Sequence, residues 1–274
     1  MLLSQTLIST ALFLFILALT GSLAGWTWPA RWSQVSHYLL DIGFLVLSVN
    51  LFLECIAFGV YVPVANEHQA LVFFAWSVLL IFLFVRRKQS RQSFGLVIFP
   101  LVSFLLGLAV LRGRSEVTIP PAYMSDQLFA VHTLTAFFAY AAFALSFVAS
   151  TLFLLQHRAL KHRRVGRFTR EWPPLEVLEH TVYKAVLLGV PLLAVTLITG
   201  FVWSKRTLGH YWLSEPKVLC ATLTWFLYAF LLYLRYVRAM RGTRVMTYAL
   251  VSFSLVIFTF LGAAVLGQEV HRAF

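Results

Sequence analysis

The chain has 274 residues, 60% of them hydrophobic and only 12% charged, with 22 Lys and Arg against 10 Asp and Glu. That balance is far from the soluble average and leaves no room for a separate soluble domain. The net charge of +12 does not indicate nucleic-acid binding, because the cations stand in short loops between apolar runs, where they act as topology signals and contacts for anionic lipid.

Crossing about 30 Å of hydrocarbon takes a helix of about 20 residues. Eight runs are long and apolar enough: Leu2–Leu23, Tyr38–Val62, Gln69–Val85, Phe94–Leu111, Leu128–Leu155, Val177–Trp203, Val218–Val237 and Val245–Leu266. They are apolar all round rather than alternating, which predicts helices and not the strands of an outer-membrane barrel. The expected fold is an all-α polytopic membrane bundle of about eight transmembrane helices, read as one domain over residues 1–274. The triplet Ser22–Ala24 resembles a signal-peptide cleavage site, but no Lys or Arg precedes Arg31, so the first run is read as a retained helix.

With eight spans, the loops around Arg31, Arg86–Arg91, Arg158–Arg170 and Arg235–Arg244, together with Lys184, place 16 of the 22 cations on one side. The opposite side holds Arg112, Arg114, Lys205, Arg206, Lys217 and Arg272. The positive-inside rule therefore puts both termini on the extracytoplasmic face.

Neither Cys55 nor Cys220 belongs to a Cys-x-x-Cys-His motif, so the chain is not itself a c-type cytochrome, and both read as small apolar residues in helix packing. On this topology His68, His132, His210 and His271 lie on the outer side. His132 stands near the start of the fifth run and His271 just beyond the last, where two imidazoles across a bundle mouth are suited to ligate one haem iron. Taken alone, each also reads as an ordinary interfacial histidine.

The stretch Ile198–Cys220, "ITGFVWSKRTLGHYWLSEPKVLC", lies on the same side. Trp203, Tyr211 and Trp212 offer flat apolar surface, and Lys205, Arg206 and Lys217 offer cations for two propionates. An aromatic belt at the membrane interface is the alternative reading. Glu54 is the main intramembrane acid, and such a residue normally has a functional reason to be there. No inverted repeat or pair of broken helices supports transport.

"GFVWSKRTLGHYWLSEPK" resembles the tryptophan-rich motif of the haem-handling cytochrome c assembly proteins of the CcsA/ResC type, and "WPPLEVLEHTVYKAVLLGVPLL" resembles the related HemX-like proteins. "VANEHQALVFFAW", "VHTLTAFFAYAAF" and "GAAVLGQEVHRAF" extend the resemblance over most of residues 51–274. The resemblance implies that His132 and His271 are axial ligands of a haem b bound non-covalently and transiently. It further implies that Trp203, Tyr211 and Trp212 form an aromatic platform, with Glu215, Pro216 and Lys217 in the place of Asp-Pro-Lys. Leu208, Ser214, Val218 and Cys220 depart from the usual Trp, Trp, Glu and Trp, and Tyr233 stands where members carry a buried His; it is read as a packing residue.

The implied function is holding haem at the extracytoplasmic face of a bacterial plasma membrane, or a thylakoid-like one, for attachment to apocytochrome c. A partner membrane subunit is implied too, and the chain is at most one subunit of a System II cytochrome c synthase. The alternative is a divergent HemX-like protein with a regulatory or assembly role in tetrapyrrole metabolism.

Overall fold

The structure is a computed structural model that describes residues 2–24, 31–85, 91–113, 122–163, 172–209 and 216–270. Among them are eight α-helices and no strand: α1 (Leu2–Ala24), α2 (Arg31–Phe58), α3 (Glu67–Val85), α4 (Arg91–Arg112), α5 (Gln127–Lys161), α6 (Leu175–Leu208), α7 (Pro216–Tyr236) and α8 (Thr243–Val270), with a single 3-10 turn at Ala122–Ser125. Each apolar run of the sequence coincides with one helix. Six of the eight are long and apolar enough to cross a membrane; among the described residues α4 and α8 contribute the shorter apolar lengths Ile98–Arg112 and Thr243–Ile257.

The helix ends follow local chemistry more closely than hydropathy does. α2 stops at Phe58, four residues before the end of its apolar run, because Gly59 takes a φ of 62° and the Val60 N–H donates back to the Cys55 carbonyl at 3.2 Å. At the start of α3 the Gln69 N–H donates to Asn66 Oδ1 at 2.9 Å, and Gln69 Oε1 accepts from the Ala65 N–H at 2.9 Å. Asp126 caps α5 by accepting from the Leu128 N–H at 2.7 Å. α7 opens on Pro216, a residue suited to the first helical position because its missing N–H has no intrahelical partner to lose.

The chain forms two compact units, Met1–Ala130 with Val165–Pro174, and Val131–Arg164 with Leu175–Phe274. In the first, α1 packs on α2 and α4, and α3 packs on α4. Ser4 donates to Glu54 Oε1 at 2.7 Å, and a Cβ on Gly43 would lie 2.7 Å from the Phe15 ring. The same number of residues separates the two contacts on each helix, which fixes an antiparallel register. α3 and α4 are joined at one end by the Arg112–Glu67 ion pair at 3.0 Å and by His68, whose Nδ1 lies 2.7 Å from the Ala109 carbonyl. That carbonyl belongs to the last turn of α4, where no helical N–H remains to satisfy it.

In the second unit α7 packs on α6 and α8. Its core is the Phe143 ring of α5, stacked on Tyr228 of α7 with centroids 3.8 Å apart. The Tyr228 hydroxyl donates to the Ala249 carbonyl of α8 at 3.3 Å, and Trp225 Nε1–H donates to Val190 of α6 at 3.1 Å, next to Pro191. A proline inside a membrane helix is tolerated where neighbouring groups satisfy the disturbed backbone. Phe13, Phe52, Phe84, Phe104 and Phe226 stand exposed on the helix surfaces, a costly arrangement in water and the expected one against lipid chains.

Two glycines of the first unit give a test of this packing. Gly43→Ala forces the fully buried Phe15 ring to move, whereas a Cβ at Gly107 meets nothing within 4 Å. Gly43→Ala should therefore cost about 1–3 kcal/mol through overpacking, and Gly107→Ala should gain about 0.5–1 kcal/mol of helix propensity. Thermal unfolding in detergent should show midpoints moving in opposite directions.

Candidate functional site

The site is built on α5 and α6. His132 lies in the second turn of α5, held there by the Asp126 cap, and its part-exposed ring faces α6. Nδ1 is 2.9 Å from the Thr196 carbonyl oxygen. A carbonyl only accepts, so Nδ1 carries the proton, and in the neutral ring Nε2 keeps its lone pair. Among the described residues Nε2 has no hydrogen-bond partner. Metal-binding histidines share this feature, a bond on one nitrogen that fixes the tautomer and leaves the other with its lone pair, and His68 shares it as well.

Two further residues of α6 shape this contact. Thr196 Oγ1 is 2.9 Å from Thr135 Oγ1, one turn beyond His132 on α5, so the hydroxyls tie the helices together at the same level. Gly200 lets the imidazole lie against the helix backbone: a Cβ there would come within 2.9 Å of His132 Cε1 and 3.0 Å of Nδ1. Thr135, Thr196 and Gly200 escaped the reading of the sequence. The one available signal was a glycine inside a long apolar helix, which costs about 1 kcal/mol against Ala and so needs a reason.

Trp203 follows Gly200 by three residues and Thr196 by seven, so it belongs to the same stripe of α6 and is half-buried. On the other face of α6, away from that stripe, Ile198, Phe201 and Val202 line an open surface groove of about 550 Å³ with Lys205 and Arg206 at its end. This exposed apolar face with two cations at its end is the pattern of a lipid-facing helix reaching the membrane interface.

Of the remaining expected site residues, Pro216 and Lys217 form the first turn of α7. Phe143 pairs with Tyr228 on the neighbouring helix, and Lys217 precedes Tyr228 by the same eleven positions by which His132 precedes Phe143. This register sets the Lys217 backbone level with His132. Tyr211, Trp212, Glu215 and His271 lie outside the described residues, as does His210. His68 belongs to the other compact unit, where its Nδ1 is engaged by Ala109.

Among the described residues no group of three or more His, Cys, Asp and Glu is placed to hold a metal ion. Tyr233 is exposed and stacks on Phe230 with centroids 6.0 Å apart, the environment of a surface packing residue. At the opposite end of this unit, Arg235 lies 3.6 Å from Glu179 and 4.1 Å over the Tyr183 ring, joining α7 to α6.

Comparison with known proteins bears on what this arrangement is for. A family model described as "Cytochrome C assembly protein" matches residues 64–271, from the loop before α3 to the end of the chain's aligned region at His271. Protein HemX of Brevibacillus brevis is 31% identical over 204 residues, covering 74% of each chain. The cytochrome c biogenesis protein CcsA of Porphyra purpurea is 28% identical over 250 residues, covering 77% of this chain and 78% of its own. Among solved structures the cytochrome c heme lyase CcmF superposes with a TM-score of 0.64 at 20% identity, over 97% of this chain. The chain spans about half of CcmF, 49% of its length, and the likeness there is one of fold. With three quarters of its length matched by the family model, and helices of membrane-crossing length to carry that match, the chain belongs to the cytochrome c assembly protein family.

Proposed function

We propose that this protein holds haem b non-covalently at the extracytoplasmic face of the membrane, during cytochrome c maturation, with His132 and His271 as its two axial ligands. The observation that carries the reading is His132: its Nδ1 proton is spent on the Thr196 carbonyl, which leaves Nε2 as the ligating atom. Family membership supports the role in cytochrome c assembly. In this reading Trp203, Tyr211 and Trp212 supply flat surface for the macrocycle, Lys205, Arg206 and Lys217 receive its propionates, and Glu215 and Pro216 stand with Lys217 in the place of the family's Asp-Pro-Lys.

The bound group would supply vinyl carbons open to attack by the thiols of an apocytochrome. The chain's own residues bind and orient it and keep it against an apolar surface. A partner membrane subunit and apocytochrome c complete the system, with this chain at most one subunit of a synthase. Eight membrane crossings, with both termini outside, bring His132, the end of α6 and the start of α7 to the outer face.

A second reading is favoured by the 31% identity to Protein HemX: a membrane protein with a regulatory or assembly role in tetrapyrrole metabolism that does not deliver haem to cytochromes. The two readings differ in whether apocytochrome c becomes loaded when the protein is present.

Orientation is checked by fusing topology reporters after Gly209 and after Gly166. An extracytoplasmic signal at Gly209 and a cytoplasmic one at Gly166 are expected; the reverse pattern puts the site on the wrong face for apocytochrome. Ligation is checked by absorption spectra of the purified protein. His132→Ala and His271→Ala should each abolish the low-spin spectrum, the double variant should be little worse because the two ligands act as a unit, and free imidazole should partly restore each single variant. His157→Ala and His162→Ala should leave the spectrum unchanged.

A further inference from the structure

α6 carries two glycines against α5, and they repeat one geometry. A Cβ on Gly189 would lie 2.5 Å from Phe143 Cε1, and one on Gly200 would lie 2.9 Å from His132 Cε1. Eleven positions separate the two glycines on α6, and eleven separate the two rings on α5, so the helices run antiparallel in register and each ring lies over a bare patch of backbone. The two patches serve different ends. Phe143 is fully buried and sandwiched against Tyr228, with no polar atom to orient. The imidazole at the second patch is part-exposed and has its Nδ1 fixed by Thr196, four residues before Gly200 on the same face of α6.

We infer that Gly200, with the Thr196 carbonyl and the Thr135–Thr196 hydroxyl contact, is a positioning device that sets the tautomer and the direction of His132, so that only Nε2 is presented to a ligand. The steric and the polar contacts act on the same edge of the ring. A methyl group at Gly200 would meet Cε1 and Nδ1, the two atoms that face α6, and leave Nε2 at 3.9 Å. The ring would have to swing away from α6, which lengthens the 2.9 Å bond from Nδ1 and releases the tautomer. Among the described residues no other hydrogen bond reaches the imidazole: Thr135 contacts the backbone and Thr196 instead.

The inference deepens the haem-holding reading and rests on it for the ligand's identity, but the geometry of His132 is measurable without haem. The full-length protein is prepared haem-free with ¹⁵N-histidine and, separately, haem-loaded, as wild type, Gly200→Ala, Thr135→Val and Gly189→Ala. In the haem-free wild type the His132 nitrogen shifts should report the Nδ1–H tautomer. Gly200→Ala should shift it to a mixture and weaken haem binding about 10–100-fold, the range for loss of an outer-shell partner. Free imidazole should recover the low-spin spectrum, because the vacated position is open. Thr135→Val should move both readouts the same way by less.

Gly189→Ala is the control. It should lower the thermal midpoint through its clash with Phe143 while leaving the His132 tautomer and the spectrum per folded molecule unchanged. An unchanged tautomer and affinity in Gly200→Ala would overturn the inference. So would a Gly189→Ala variant that loses the His132 tautomer equally, since that would reduce Gly200 to general helix packing. A wild type that carries no haem but shows the expected tautomer shifts would defeat the haem reading and leave the positioning of His132 standing.

Discussion

The seating of two rings of α5 against the backbone of α6 is the constraint on which the C-terminal unit depends. Two positions without a Cβ, Gly189 and Gly200, allow rings of α5 to lie against the backbone of α6. In a lipid environment helices gain little from burying apolar surface, since the solvent is equally apolar, and association rests on close packing between small residues and on polar contacts. Both are present here. Gly189 lets Phe143 stack on Tyr228, and Gly200 lets His132 reach the Thr196 carbonyl. One bare patch of α6 therefore packs the core and the other orients the candidate ligand.

The N-terminal unit solves the same problem with other residues. Phe15 fills the space left by Gly43, and the buried carboxylate of Glu54 accepts from Ser4 rather than facing lipid. At one end, the Glu67–Arg112 pair and the His68–Ala109 contact close α3 on α4. His68 and His132 share a motif, an Nδ1 bonded to a carbonyl of the neighbouring helix. Their surroundings differ: His68 is buried in the first turn of its helix, whereas His132 is part-exposed against the Thr196–Gly200 face of α6.

The eight helices were legible in the sequence because about 20 consecutive apolar residues leave the backbone no alternative to a helix in lipid. The exact ends were not, since hydropathy ignores caps; α2 runs out at Gly59 although apolar residues continue beyond it. His132 was legible from its place at the start of a run, and Trp203 from its place at the end of one. Thr135, Thr196 and Gly200 were not, because their role depends on how α5 and α6 are registered, and two apolar helices contain no period that reveals which turn of one meets which turn of the other. His271 was suggested by its place just beyond the last run and by family resemblance, which also favoured a ligand platform over an interfacial belt for the aromatic loop around Tyr211 and Trp212.

The central claim is that one haem is held between imidazole nitrogens of this chain. Electron paramagnetic resonance of the oxidised, purified protein carrying ¹⁵N only at histidine tests it most directly. The account predicts a low-spin ferric signal with magnetic coupling to two histidine nitrogens. A high-spin signal, or a low-spin one without coupling to labelled histidine, would contradict it.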